Sequence, residues 1–190
     1  GAVLLTLAPQ AMDAVSDRLV ATIDIPSFGP VGEGAVPAED LTLVLTGTDG
    51  PRTYAFDAGS VMSPLSVRFI TEGSIEAWPF DVHTAEFDVA VIRGADTDEP
   101  EPVPVVVCGT VHVPGWAFSS ETIANGGDIV LDGERATAVV VHAQRSAATV
   151  AFGIVLLALM VVLPVLGITV AVTVLRGRRK VEASMTSWMA

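Results

Sequence analysis

The chain of 190 residues contains one cysteine, Cys108. No internal disulfide can form, and no pair of thiolates is available to hold zinc. Aromatic residues make up 6% of the sequence, with a single tyrosine. Cations are equally scarce where the chain is polar: positions 1–145 carry 21 Asp and Glu against 6 Arg and no Lys, a balance of −15. With no basic face for phosphate, nucleic-acid binding is excluded. The usual catalytic signatures are also missing. There is no nucleophile elbow, phosphate loop, dinucleotide fingerprint or His-Glu-x-x-His pair. The three histidines, His83, His112 and His142, lie on separate segments, which argues for strand or surface positions rather than a zinc site. No cofactor or metal is expected, and the sequence reads as a non-enzyme.

What is present divides sharply along the chain. Half of it is apolar (51%), yet the formal charge is −12. From Ala147 to Leu175 there is no charged residue, and the tail from Arg176 sums to +3. This layout excludes a disordered chain and a single soluble globule, and describes an acidic domain tethered to a bilayer. The 29 uncharged residues would form roughly 43 Å of helix, enough to cross a hydrocarbon core about 30 Å thick. Arg176, Arg178, Arg179 and Lys180 adjoin one end of this span and should stay cytoplasmic, so the acidic domain should face the periplasm or cell exterior across a plasma membrane. Pro164 predicts a mid-span kink, whose freed carbonyl Thr169 or Thr173 could satisfy. Gly167 and Ala171, four residues apart, offer a small-residue face for a partner helix.

Before the span, the punctuation is that of an all-β domain. Short alternating runs are separated by turn signals such as Pro26-Ser-Phe-Gly-Pro30 and Asn125-Gly126-Gly127. Eight or nine strands are expected, among them Arg18–Ile25, Leu41–Thr46, Glu86–Ile92, Trp116–Ile123 and Ala136–Gln144. The fold class is therefore mainly β: an extracytoplasmic, immunoglobulin-like β-sandwich followed by a transmembrane helix. The expected division is 1–17, the end of a preceding membrane helix or a lead-in; 18–145, the sandwich; 146–175, the span; and 176–190, a basic cytoplasmic segment leading towards a further helix. Val20, Val105, Val107, Ile129 and Val139 are among the residues expected to face inward, and Cys108 is expected to point into the core. The acidic loop 95–104 is expected to be a solvated connection rather than a calcium site.

Two aromatic corners stand out: Trp78-Pro79-Phe80-Asp81 and Pro114-Gly115-Trp116. They serve either as plugs at the end of the sandwich or as a surface that meets membrane helices or a partner. Together with Arg145-Ser146, Arg178-Arg179-Lys180 and the terminal Met185-x-x-Trp188-x-Ala190, they make the chain resemble an uncharacterised actinobacterial, largely mycobacterial, membrane-protein family classed as a domain of unknown function. The resemblance implies a membrane helix, an outer β-domain and then three helices. It assigns no catalytic residues. His83 stands where an aromatic is common after the first corner. The mycobacterial setting implies an accessory subunit in a hetero-oligomeric envelope complex, with lipid importers of the Mce class as the candidate host and the lipid bilayer as the other partner. A second similarity is to the Pro-Phe-Asp corner of pentameric ligand-gated channels, matched by Pro79-Phe80-Asp81, which implies a channel-like or receptor-like oligomer instead.

Overall fold

The structure is a computed structural model describing residues 2–48, 50–95, 97, 100–109, 113–131 and 134–186. Two units divide the chain, Gly1–Ser146 and Ala147–Ala190. The first is a β-sandwich. One of its sheets has four strands in the order β11 (Val105–Gly109), β1 (Val3–Asp13), β2 (Arg18–Ser27), β7 (Leu65–Ile70). The other runs β12 (Trp116–Ile123), β15 (Thr137–Arg145), β9 (Val82–Arg93), β5 (Leu41–Gly47), β6 (Gly50–Phe56). β9 is twelve residues long and needs two neighbours on each edge. β15 is followed on one edge by β10 (Glu101–Val103), and β8 (Glu72–Gly73) is followed on the other by β5. Two small ribbons, β3 (Gly32–Glu33) with β4 (Val36–Pro37) and β13 (Val130–Leu131) with β14 (Glu134–Arg135), complete the unit.

Strict alternation builds the core. Val3, Leu5 and Leu7 of β1, Leu19, Ala21, Ile23 and Ile25 of β2, and Leu41, Leu43 and Leu45 of β5 all bury one face. They meet Phe87, Val89 and Val91 of β9 and Val139 and Val141 of β15 in one continuous cluster. Phe69 and Phe87 stack across the two sheets at 4.3 Å between ring centroids.

Four expectations are corrected. Residues 1–17 are neither the end of a helix nor a helical lead-in: β1 runs through them, pairing antiparallel with β2 and parallel with β11. Leu4 and Thr6 occupy its outward positions, so an apolar Leu4 hides the alternation. The stretch Gln10–Leu19 is strand, turn and strand, with Asp13 Oδ1 accepting the amides of Val15 (3.0 Å) and Ser16 (3.1 Å). Val20 is only half-buried, because Leu19 and Ala21 take the inward phase of β2. Cys108 is exposed, because Val107 takes the inward phase of β11. Ile129 is half-buried, whereas Val105, also half-buried, packs against the core as expected. Among the loop acids, Asp96, Asp98 and Glu99 lie outside the described residues, as do His112, Trp188 and Ala190.

The second unit is one helix, α1 (Ala147–Thr186), whose stretch Ala147–Arg176 is long and apolar enough to cross a membrane, with a mean hydropathy of 2.9. The β-domain is thus followed by a transmembrane helix. The helix continues through Pro164 and on past Lys180. Proline 164 leaves the carbonyl of Met160 without its usual donor. The threonine hydroxyls do not supply it: Thr169 donates to Val165 O (2.7 Å) and Thr173 to Thr169 O (2.8 Å), the common bond four residues back.

Candidate functional site

Three strand ends meet where the chain leaves the β-domain. Register pairs Trp116, first residue of β12, with Arg145, last residue of β15, and pairs Val82, first residue of β9, with Gln144. Asp81 immediately precedes β9 and is almost completely buried. Arg145 grips it with a fork: Nε donates to Oδ1 at 2.9 Å and Oδ2 at 3.0 Å, and Nη2 lies 2.9 Å from Oδ2. The same guanidinium lies over the Trp116 ring, with Cζ 4.0 Å from its centroid. Burial by itself would raise the Asp81 carboxyl, but the hydrogen bonds and charge of Arg145 outweigh it and hold the group below the ordinary carboxylate value.

His83 completes the cluster. Two residues beyond Asp81, it lies on the same face of the chain entering β9. The ring is fully enclosed, with Nε2 3.3 Å from Asp81 Oδ2 and its plane edge-on to Trp116 at 5.7 Å. Its Nδ1 has no hydrogen-bond partner and sits 3.8 Å from Asp17 Oδ1. Gly73 of β8 makes room for it: a Cβ there would fall 2.3 Å from Nδ1 and 2.7 Å from Val82 O. Asp17 is in the left-handed region, at φ 50°, in the turn that closes the β1–β2 hairpin. Ala14 of that turn packs with Val113, Trp116 and Ala143.

A carboxylate, an imidazole and a guanidinium in contact suggest acid–base chemistry. The geometry opposes it, because a ring with no exposed surface has no route to a substrate. Among the described residues no group of three or more His, Cys, Asp or Glu could hold a metal ion. The cluster joins two segments remote in sequence. It fixes Arg145, two residues before the helix, to the aromatic corner 64 residues earlier.

The sequence-derived site residues fall into distinct places. Asp81 and Trp116 are buried and touch Arg145. Pro79 is buried behind a cis Trp78–Pro79 peptide. Trp78 and Phe80 of the same corner are exposed. A single turn of 3-10 helix, Ile75–Ala77, presents the corner, with Phe80 N donating to Ala77 O at 2.8 Å. Gly167 and Ala171 are exposed on the span, where a Cβ added to Gly167 would meet nothing within 4 Å. Arg176 is exposed at the end of the apolar stretch, and Arg178, Arg179 and Lys180 follow within α1. Sequence reasoning missed His83 and the pairing role of Arg145. The Asp-x-His spacing at the start of a strand was the available signal for the first. Arg145 gave none, since its partner is remote in sequence.

The fold and the junction define a membrane-anchored β-sandwich protein whose last strand is clamped to an aromatic corner. Residues 1–143 match the family described as a domain of unknown function, DUF4436, and the chain belongs to that family. Residues 145–190 match a second domain of unknown function, DUF8686. The division between the two falls beside Arg145, close to the boundary between the sandwich and the helix. No curated protein matches the chain significantly.

Proposed function

We propose that this protein is a non-enzymatic accessory subunit of a mycobacterial cell-envelope membrane complex, most consistent with a lipid transporter of the Mce class. It docks through its β-domain and its transmembrane helix. The observation that carries the reading is the clamp on Arg145: the buried carboxylate of Asp81 holds the residue that leads into the span and lines no cleft. A protein that must present a domain in a fixed register to neighbouring subunits needs such a junction. The cations at 176–180 favour the cytoplasmic side for the far end of the helix, which puts the β-domain outside. The mycobacterial and lipid-transport elements rest on the family resemblance of the two corners and the flanks of the span.

The test is purification of the full-length tagged protein from its native membranes in mild detergent, followed by identification of co-purifying chains. A stoichiometric complex with transporter subunits is expected. A lone monomer with hydrolytic activity overturns the proposal. A lone homopentamer would replace it with the channel-like oligomer.

A further inference from the structure

We infer that the end of the β-domain carrying the aromatic corner is a lipid-contacting surface, seated in the headgroup region of the bilayer that the span crosses. This rests on the helix being a membrane span and goes beyond the accessory role, which can fail independently. The first observation is an accumulation of apolar side chains at one end of an otherwise acidic domain. Phe80 is 61% exposed and Val82 51%, with Trp78 and Ile75 beside them in the same corner. Val15, 80% exposed, tips the β1–β2 turn whose Ala14 packs with Trp116 at this end. Side chains of this size, with an indole among them, are costly to leave in water and suit the boundary between headgroups and acyl chains.

The second observation names the occupant. Val82 is opposite Gln144 in the β9–β15 ladder, and only Arg145 and Ser146 separate Gln144 from the first residue of the helix. The corner therefore lies at the end from which the span departs, by chain connectivity alone. The 30 residues Ala147–Arg176 make about 45 Å of helix, which matches a whole bilayer with its headgroup layers, about 40–45 Å, rather than the hydrocarbon core alone. Ser146 is then at the headgroup boundary, and Arg145, the last residue of β15, adjoins it in the chain. Arg145 brings no free charge there, since Asp81 neutralises it.

The contact is apolar and not electrostatic. Asp13, Asp17, Glu72 and Glu76 lie around this end against Arg18, so anionic headgroups would be repelled. A zwitterionic surface is the one that fits.

The experiment uses the full chain reconstituted in phosphatidylcholine vesicles. In a Cys108→Ser background, Phe80→Cys is labelled with an environment-sensitive fluorophore, and lipids carrying a nitroxide near the top of the acyl chain serve as quenchers. Val130→Cys, at the opposite end of β15, is the reference. Loss of emission at position 80 with none at position 130, unchanged in molar salt, is the expected result. Equal emission at the two positions overturns the inference. So does a blue shift at position 80 without lipid quenching, which would mean that a second copy of the chain covers this end. Quenching abolished by salt would also overturn it, by making the contact electrostatic. If Phe80→Cys fails to fold, the quenching by brominated lipid that is lost on Trp78→Phe reads the same contact; no loss overturns it.

Discussion

Two buried aspartates, one just before β9 and one within it, solve the same problem differently. Asp81, the first of them, is paired with a guanidinium. Asp88, seven residues on, accepts the amides of Asp128 (2.9 Å) and Ile129 (3.2 Å) at Oδ2, while its own amide donates to the Thr46 hydroxyl oxygen at 2.6 Å. A carboxylate held by backbone amides ties down a loop, here 40 residues on, and asks nothing of any other side chain. A carboxylate held by Arg145 makes two distant segments interdependent, because removing either partner strands a charge in a buried setting. The span-proximal end of the sandwich is thus built as a clamp, and the other as a pinned loop.

The largest expected effect breaks the clamp. Arg145→Ala leaves Asp81 enclosed without a counter-charge and should cost about 3–5 kcal/mol in denaturant unfolding of the full chain in detergent. Asp88→Ala should cost less, about 1–3 kcal/mol, because the amides it strands are neutral and lie beside solvent-exposed Asp128. Equal losses would erase the distinction. Acid titration sharpens it. A carboxyl whose folded value is depressed contributes stability that is complete above the ordinary value of about 3.9 and is lost as pH falls through the folded value. Asp81→Asn should therefore flatten the acid limb of the stability profile. A residual slope should remain from Asp13, lowered by its bonds to the Ser16 hydroxyl and to the turn amides.

Of the same order as the loss at Asp88 is the effect of crowding His83. Gly73→Ala forces β8 away from β9 and should cost about 1–3 kcal/mol. The loss should be partly relieved in combination with His83→Ala, a coupling that a double-mutant cycle measures. At the foot of the scale, Cys108→Ser should change stability by less than about 0.5 kcal/mol, and the native thiol should react with alkylating reagents without unfolding.

How much of this was legible depended on whether a residue's neighbours broke the ambiguity of phase. Leu41–Thr46 alternates cleanly between apolar and polar, so its inward face followed directly, and Trp116–Ile123 was delimited correctly at both ends. The run Val105–Cys108 is apolar at every position and carries no phase, so Cys108 was assigned to the wrong face. β1 suffered from the same defect through Leu4, and its role depends on pairing with a strand about a hundred residues away. The two corners were conspicuous as composition. That Trp116 would turn inward on Arg145 while Phe80 turned outward follows only from the register of β12, β15 and β9, which no local pattern encodes.

The topology also dictates when the molecule can become stable. Among the described strands β15 comes last in the chain, yet it lies between β12 and β9 in the middle of its sheet, and β1, which comes before the others, must wait for β11. No fragment ending before Arg145 contains a closed core. Contacts this distant in sequence are slow to form, and here the closing strand reaches the rest of the domain only as the apolar helix follows it out of the ribosome. Maturation of the sandwich and insertion of its anchor are consequently successive moments of a single biosynthetic event.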